Sequence, residues 1–171
     1  MKRKVGIIGL GLLGGSLAKG LAKYTDYEVI GYARRPEICE AALVDKVVAR
    51  AYTDPKQVVA EADILVFALP PDTNARLFEE LAPLIRPRTL ITDVSSTKTN
   101  FAGTVKQHLP EGAKFVSIHP WPGLKKAAMT WPRRICLRIA HGLSWKMTLK
   151  TVGMRRLRLN WLKWANCWAA A

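Results

Sequence analysis

A glycine-rich turn near the start of the chain constrains the fold more than any other feature. It follows the apolar strand pattern of residues 5–8, precedes a helical pattern over 16–22, and reads Gly9-Leu10-Gly11-Leu12-Leu13-Gly14. A strand, a glycine turn and a helix in this order present backbone N–H groups at a helix start, which suits a dinucleotide diphosphate. Gly9 permits the turn, Gly11 allows close approach, and Gly14 lets the helix pack on the strand. These six residues are candidate coenzyme contacts, with an ordinary tight turn as the alternative.

Apolar runs and helical patterns alternate along the chain as far as residue 118. Further strands are predicted over 27–32, 64–68, 89–92 and 115–118. Helices are predicted to begin near Pro36, Pro55, Asp72 and Asn100, with Asp54 and Asp72 as N-caps. The helix from Asp72 is predicted to carry the apolar residues Leu77, Phe78, Leu81 and Leu84. The alternation predicts an α/β fold with a doubly wound, mostly parallel sheet, whose ligands bind beyond the carboxyl ends of the strands.

The loop after the second predicted strand carries two arginines. A site for NAD usually has an acidic residue here for the ribose hydroxyls, but this chain has Arg34 and Arg35. Two guanidinium groups can hold a 2′-phosphate through charged hydrogen bonds. The sequence therefore favours NADP over NAD, and a solvated basic turn is the alternative.

Three later loops carry further candidate site residues. Leu69 and Pro70 form a rigid apolar lip that can bound the adenosine or the nicotinamide ring, or can simply end the strand. Ser95 and Ser96 offer hydroxyls to a nicotinamide or a substrate oxygen, although helix caps use the same residue types. His119 ends the last predicted strand and is a candidate general base, or else a structural histidine.

The composition of the chain changes at Trp121. Residues 1–120 hold 16 Lys and Arg against 13 Asp and Glu, whereas residues 121–171 hold 11 Lys and Arg and no acid. The second segment also contains all six tryptophans, Trp121, Trp131, Trp145, Trp161, Trp164 and Trp168. We therefore expect a dinucleotide-binding domain over 1–120 and a basic, tryptophan-rich tail over 121–171. A tail that binds nucleic acid or an anionic membrane is disfavoured, because its aromatic and basic residues follow no common face.

Other features of the sequence favour a cytoplasmic protein without a metal. The basic residues at positions 2–4 precede an apolar stretch that is short and interrupted by glycines, unlike a signal peptide or a membrane span. Cys39, Cys136 and Cys167 are widely spaced and odd in number, which argues against a disulfide framework or a zinc site. We expect neither nucleic acid nor a membrane as a partner.

Three motifs together resemble the prephenate/arogenate dehydrogenases of tyrosine biosynthesis. They lie over 9–17, 92–98 and 118–120, and the resemblance covers residues 4–120. It implies an N-terminal Rossmann-like domain for NADP or NAD, and a helical C-terminal domain that forms a homodimer and closes the substrate pocket. Another Rossmann NAD(P)-dependent oxidoreductase and a redox-inert NAD(P)-binding module are the alternatives.

The resemblance also implies roles for two residues. His119 would accept the proton of the substrate's ring hydroxyl while hydride leaves the same carbon, and loss of carbon dioxide would then aromatise the ring. Ser96 would hydrogen-bond the reacting hydroxyl and hold His119. The Arg34–Arg35 pair resembles the members that use NADP.

The resemblance stops after Pro120. Family members continue Met-Ala-Gly-Thr/Ser-Glu-x-Ser-Gly, whereas this chain continues Trp121-Pro122-Gly123-Leu124-Lys125-Lys126-Ala127-Ala128. Codons for this segment, read from one base earlier, can encode the family stretch. We therefore expect residues 121–171 to be a frameshift product, with the family's helical dimerisation domain absent. In that case coenzyme binding is retained and the oxidation of prephenate is lost.

Overall fold

A computed structural model describes residues 2–95 and 99–117 of the chain. Two predicted site residues, Ser96 and His119, lie outside these ranges, as does the whole tryptophan-rich segment 121–171. Among the helices of these ranges, none combines the length and the apolar character of a membrane span.

Strands and helices alternate through the described part of the chain. The strands are β1 (Lys4–Ile8), β2 (Glu28–Tyr32), β3 (Arg50–Tyr52), β4 (Ile64–Phe67), β5 (Leu90–Asp93) and β6 (Lys114–Ser117). The helices are α1 (Leu12–Tyr24), α2 (Pro36–Val44), α3 (Pro55–Glu61), α4 (Pro71–Leu81) and α5 (Thr99–His108), and a 3₁₀ turn covers Ala82–Leu84. The predicted α/β class is therefore confirmed.

The strands form one sheet in the order β3-β2-β1-β4-β5-β6, and every neighbouring pair is parallel. Buried residues of α1 and α2 pack with one face of the sheet, and those of α3, α4 and α5 pack with the other. This is the doubly wound, Rossmann-like arrangement that the sequence predicts. The strand order reverses between β1 and β4, where such folds bind their ligands.

A cluster of aromatic rings fixes α4 and α5 to the sheet. Phe67 of β4 contacts Phe78 of α4 and Phe101 of α5, with ring centroids 5.6 and 5.2 Å apart. Phe101 also contacts Phe115 of β6 at 5.9 Å. Buried aromatic pairs of this geometry add about 0.5–1.5 kcal/mol each beyond the burial of their area. The cluster therefore packs both helices against β4 and β6.

Three predictions about local structure need correction. Strand β3 is absent from the predicted set, because its Arg-Ala-Tyr sequence has no apolar run and its residues are half-buried at the sheet's edge. Asp72 is not an N-cap: Pro70 is, and α4 begins at Pro71, since proline suits the first helical position. Leu84 lies in the 3₁₀ turn and is largely exposed.

The Asp54 cap is confirmed. Its carboxylate accepts a hydrogen bond of 3.0 Å from the backbone N–H of Lys56, and Pro55 follows as the first residue of α3. The side chain thereby satisfies an N–H group that the helix start leaves without an intrahelical partner.

The edge of the sheet where the strands begin, the amino edge, carries a network of paired charges. Glu61 at the end of α3 accepts hydrogen bonds from Lys4 Nζ at 2.9 Å and from Tyr52 Oη at 2.6 Å, and pairs with Arg50 at 2.7 Å. Arg50 also pairs with Glu28. The Tyr52 hydrogen bond, followed by that of Lys4, lowers the pKa of Glu61. The same bond to Glu61 raises the pKa of Tyr52, and the bond to Glu28 raises the pKa of Arg50.

Candidate functional site

The edge where the strands end, the carboxyl edge, begins with the glycine turn after β1. Gly9 has φ +109°, in the region that favours glycine, so the predicted need for a glycine at this turn is met. The N–H groups of Gly9 and Leu10 both donate to the carbonyl of Tyr32 at 3.0 Å. These bonds fasten the glycine turn to the end of β2.

The other two glycines of the turn have different surroundings. A Cβ on Gly14 would lie 1.9 Å from the carbonyl oxygen of Gly9, so this residue allows α1 to pack directly against the turn. A Cβ on Gly11 would meet no atom within 4 Å. The space beside the Cα of Gly11 is therefore open to a ligand, whereas the space beside the Cα of Gly14 is filled by the backbone of Gly9.

The start of helix α1 presents free N–H groups to the same open space. Gly11 is the N-cap residue, makes no side-chain cap hydrogen bond, and is followed by a first turn without acidic residues. The first backbone N–H groups of a helix have no intrahelical acceptor, and they sit at the positive end of the helix dipole. This end of α1 has the donors and the potential that an anion requires.

The three leucines of the turn differ from one another. Leu10 is buried against Gly31 of β2, where an added Cβ would lie 2.7 Å from Leu10 Cδ2. Leu12 and Leu13 are 59% and 54% exposed at the start of α1. The side chain of Leu10 thus packs the turn against β2, whereas the side chains of Leu12 and Leu13 are exposed.

The loop after β2 holds the predicted arginines at the surface. Arg34 and Arg35 are both exposed, and neither forms an ion pair within the described part of the chain. Their loop is anchored beneath by Cys39, a buried thiol whose Sγ lies 3.6 Å from the carbonyl oxygen of Ala33 and 3.4 Å from that of Tyr52. Two unpaired cations on an anchored loop leave a net positive charge beside the end of β2.

The lip after β4 contacts the glycine turn. A Cβ on Gly9 would lie 2.6 Å from Leu69 Cδ2, so the half-buried Leu69 side chain packs against the turn. Pro70 is exposed and is the N-cap residue of α4. Leu69 and Pro70 therefore border the open space beside Gly11 from the β4 side of the sheet.

Asn74, a residue that the sequence analysis missed, joins this lip to the loop after β5. Its side chain is fully buried; Oδ1 accepts from Leu69 N–H at 3.1 Å, and Nδ2 donates to the Leu69 carbonyl at 3.0 Å. Nδ2 also donates to Ser95 Oγ at 3.3 Å. A signal did exist: Asn74 shares the buried helix face with Phe78 and Leu81, where an apolar residue is expected.

Asp93, also missed, joins the ends of β5 and β6. Its carboxylate is 1% exposed and accepts hydrogen bonds from the backbone N–H of Ser95 at 3.1 Å and from Ser117 Oγ at 2.6 Å. A buried carboxylate needs partners of this kind, because desolvation without them is costly. The loops after β4 and β5 and the end of β6 are thus connected by polar side chains.

The structure therefore brings most of the predicted site residues to one edge. Gly9 to Gly14, Arg34, Arg35, Leu69, Pro70 and Ser95 all follow the carboxyl ends of strands of the same sheet. Ser96 and His119 stay predictions, since both lie outside the described residues. Among the residues that are described, no group of three or more His, Cys, Asp or Glu side chains could hold a metal ion.

Comparison with known proteins identifies the family of the chain. Residues 17–131 match the family model described as "Prephenate dehydrogenase, nucleotide-binding domain". The chain belongs to the prephenate dehydrogenase family. The matched range starts within α1 and includes Arg34, Asn74, Ser96 and His119.

Two bacterial members and one solved structure illustrate the relationship. The prephenate dehydrogenase of Bacillus subtilis is 34% identical over 131 residues, which cover 75% of this chain and 35% of that protein. The prephenate dehydrogenase of Lactococcus lactis is 31% identical, with coverage of 74% and 36%. The structure of Synechocystis arogenate dehydrogenase superposes with a TM-score of 0.64 at 32% identity, covering 72% of this chain and 42% of that one.

The family is one of enzymes, and this chain carries its nucleotide-binding domain. The chain spans about a third of the length of the curated relatives it matches.

Proposed function

We propose that this chain binds a nicotinamide dinucleotide at the carboxyl edge of its sheet. The observation that carries the proposal is the start of α1, where a glycine N-cap, free N–H groups and the space above Gly11 coincide. A diphosphate fits these surroundings because it needs hydrogen-bond donors, positive potential and room for its oxygens. The nucleotide-binding domain of the family match supports the same assignment.

We further propose that NADP is preferred over NAD. Arg34 and Arg35 stand where a ribose-binding acid is usual, both are exposed, and no carboxylate in the described ranges pairs with either. An unpaired guanidinium can give both of its parallel N–H groups to a 2′-phosphate. The same two charges have no anionic partner when the coenzyme is NAD.

The reaction we propose for the family's site is the oxidative decarboxylation of prephenate or arogenate. The coenzyme's nicotinamide ring is the hydride acceptor. His119 is proposed to accept the proton of the substrate's ring hydroxyl, and Ser96 to hydrogen-bond that hydroxyl and hold His119. Loss of the ring carboxylate as carbon dioxide then yields the aromatic product. We expect the protein to work in the cytoplasm. In the family, the helical domain that we expect to be absent here would supply the dimer contacts.

The composition break at Trp121 leads to a proposal about this particular chain. Residues 121–171 lack the acidic residues and the Met-Ala-Gly stretch that the resemblance predicts after Pro120. If they are a frameshift product, substrate contacts and water exclusion beside His119 are lost while the glycine turn is unaffected. We propose that the chain binds coenzyme and does not oxidise prephenate. Sequencing the gene around the codon for Pro120 tests the frameshift itself.

Coenzyme titration and a turnover assay on the full chain test these proposals separately. Calorimetry is expected to show one NADP⁺ bound per chain, and prephenate with NADP⁺ is expected to give no reduced coenzyme. Turnover that is abolished by His119→Asn would contradict the proposed loss of activity and support His119 as the base. A folded sample that binds neither NADP⁺ nor NAD⁺ would refute the binding proposal.

A further inference from the structure

A continuous chain of buried and partly buried hydrogen bonds runs along the carboxyl edge from β4 to β6. Leu69 is bonded at both its N–H and its carbonyl to Asn74, and Asn74 donates to Ser95 Oγ. The backbone N–H of Ser95 donates to Asp93, which also accepts from Ser117 Oγ. The starts of the loops after β4 and β5 and the end of β6 are therefore held at fixed separations by side chains as well as by the sheet.

Within this series of hydrogen bonds, Asn74 is the residue that links the loop after β4 to the loop after β5. Its three side-chain hydrogen bonds come from one fully buried amide, two to the backbone of Leu69 and one to Ser95. Pairing with both the N–H and the carbonyl of Leu69 fixes the orientation of the two peptide groups on either side of this residue. A leucine in place of Asn74 would satisfy the apolar helix face but would leave Leu69 and Ser95 without these partners.

Leu69 and Ser95 flank the half of the site that follows β4 and β5. In a doubly wound sheet of this order, the two βαβ halves each take one nucleotide of a dinucleotide. The adenosine ribose belongs to the half with β2, where Arg34 and Arg35 lie, and the nicotinamide to the half with β4 and β5. The bonds of Asn74 are confined to this second half.

We propose that Asn74 is a positioning residue that holds Leu69 and Ser95 at the separation which the nicotinamide nucleotide requires. The proposal rests on the proposed coenzyme binding. Asn74 need not touch the coenzyme, because it acts through the Leu69 backbone and the Ser95 hydroxyl. Its loss should therefore weaken the nicotinamide half of the interaction and spare the adenosine half.

Two ligands separate these halves in one experiment on the full chain. NADP⁺ occupies both halves, whereas 2′,5′-ADP carries only the adenosine with its 2′- and 5′-phosphates and lacks the nicotinamide nucleotide. For Asn74→Leu we expect the Kd of NADP⁺ to rise about tenfold, with the Kd of 2′,5′-ADP unchanged within a factor of about two. Val105→Ala is the matched control, since it removes buried methyl groups from α5 and lies in neither loop. It should leave both Kd values as in the wild type.

Each outcome has one meaning. Equal weakening of NADP⁺ and 2′,5′-ADP in Asn74→Leu, or no weakening of either, would overturn the positioning role. Wild-type protein that binds NADP⁺ no more tightly than 2′,5′-ADP would also overturn it, because the nicotinamide half would then contribute nothing. Wild-type protein that binds neither ligand would refute the proposed function instead.

A second variant covers the case in which Asn74→Leu does not fold. Ser95→Ala removes only the hydroxyl that accepts from Asn74 and keeps both bonds to Leu69. We expect a smaller rise in the Kd of NADP⁺, about threefold, again with the Kd of 2′,5′-ADP unaffected.

Hydrogen exchange tests the bond to Leu69 directly. In Asn74→Asp, which keeps the acceptor but loses the Nδ2 donors, the Leu69 amide should stay protected from hydrogen exchange. Rapid exchange of that amide in the wild type would contradict the bond on which the proposal rests.

Discussion

The two edges of the sheet satisfy their polar groups in different ways. At the amino edge, Lys4, Arg50 and Arg86 each pair with a carboxylate from another element. At the carboxyl edge, Arg34 and Arg35 have no ion-pair partner in the described ranges, and the N–H groups at the start of α1 have no side-chain cap. The amino edge pairs these three cations within the protein, whereas the carboxyl edge leaves donors and cations for a ligand.

This difference distinguishes residues that stabilise the fold from residues that are available to bind a ligand. A cavity of about 240 Å³ lies at the amino edge, lined by Asp63, Arg86, Pro87, Arg88 and Thr89. Its Arg86 already donates to the carbonyls at the end of α3 and to Asp63. A concave surface where Arg86 and Asp63 already pair with each other is a weaker candidate for ligand binding than an open edge with unpaired donors.

The largest effect is expected where the carboxyl edge depends on close packing. In Gly14→Ala the new Cβ would lie 1.9 Å from the backbone oxygen of Gly9, so α1 has to move away from the turn. We expect a loss of about 3 kcal/mol or more in the free energy of unfolding, measured by urea denaturation.

The control for Gly14→Ala is Gly20→Ala on the same helix, where the Cβ would meet no atom within 4 Å. Since alanine is the better helix former, this variant should gain about 0.5–1 kcal/mol. A Gly14→Ala protein as stable as the wild type would contradict the described contact between α1 and the turn.

A double substitution tests the unpaired cations of the carboxyl edge. For Arg34→Ala combined with Arg35→Ala, we expect the affinity for NADP⁺ to fall about 100-fold, because two charge-assisted contacts to the 2′-phosphate are lost. Affinity for NAD⁺ and thermal stability should change little. Arg50→Ala at the amino edge is the opposite case, expected to lower stability and to leave both affinities alone. An unchanged affinity for NADP⁺ in the double variant would mean that the arginines form a solvated turn.

The open space above Gly11 gives a more modest prediction. Gly11→Ala adds a methyl group that meets no protein atom within 4 Å but points into the room proposed for the diphosphate. We expect coenzyme to bind about tenfold more weakly, while stability falls by at most about 1 kcal/mol from the poorer N-cap. Gly20→Ala again serves as the control, with wild-type affinity expected in the same titration. Equal affinities in Gly11→Ala and the wild type would place the diphosphate elsewhere.

The smallest effect is expected at the amino edge and depends on pH. Because hydrogen bonds from Tyr52 and Lys4 lower the pKa of folded Glu61, its ionised form stabilises the fold above the unfolded pKa. That contribution is lost as the pH falls through the folded pKa. Glu61→Gln should therefore remove about 1 kcal/mol of stability at neutral pH and flatten the acid side of the stability curve. An identical acid-side slope in wild type and variant would show that Glu61 is not coupled to folding.

The parts of the fold that could be predicted from the sequence are those set by local pattern. The glycine turn, the apolar run of β4 and the Asp54-Pro55 helix start each depend on neighbouring residues. Strand β3 could not be predicted, because pairing with β2 rather than an apolar sequence makes Arg50–Tyr52 a strand.

The same limit applies to the site. Arg34, Arg35 and Ser95 were found because loops after parallel strands meet at one edge. Asn74 and Asp93 were missed because their partners, Ser95 and Ser117, lie 21 and 24 residues away in sequence. Only the packed helices and sheet bring these side chains together.

The most direct test of the difference between the edges is a titration of the ¹⁵N-labelled full chain with NADP⁺, followed by two-dimensional NMR. The account predicts shifts of the backbone amides at Gly11 to Gly14, Arg34, Leu69 and Ser95, with those of Lys4, Glu61 and Arg86 unchanged. Shifts confined to the amino edge, or none in a folded sample, would contradict it.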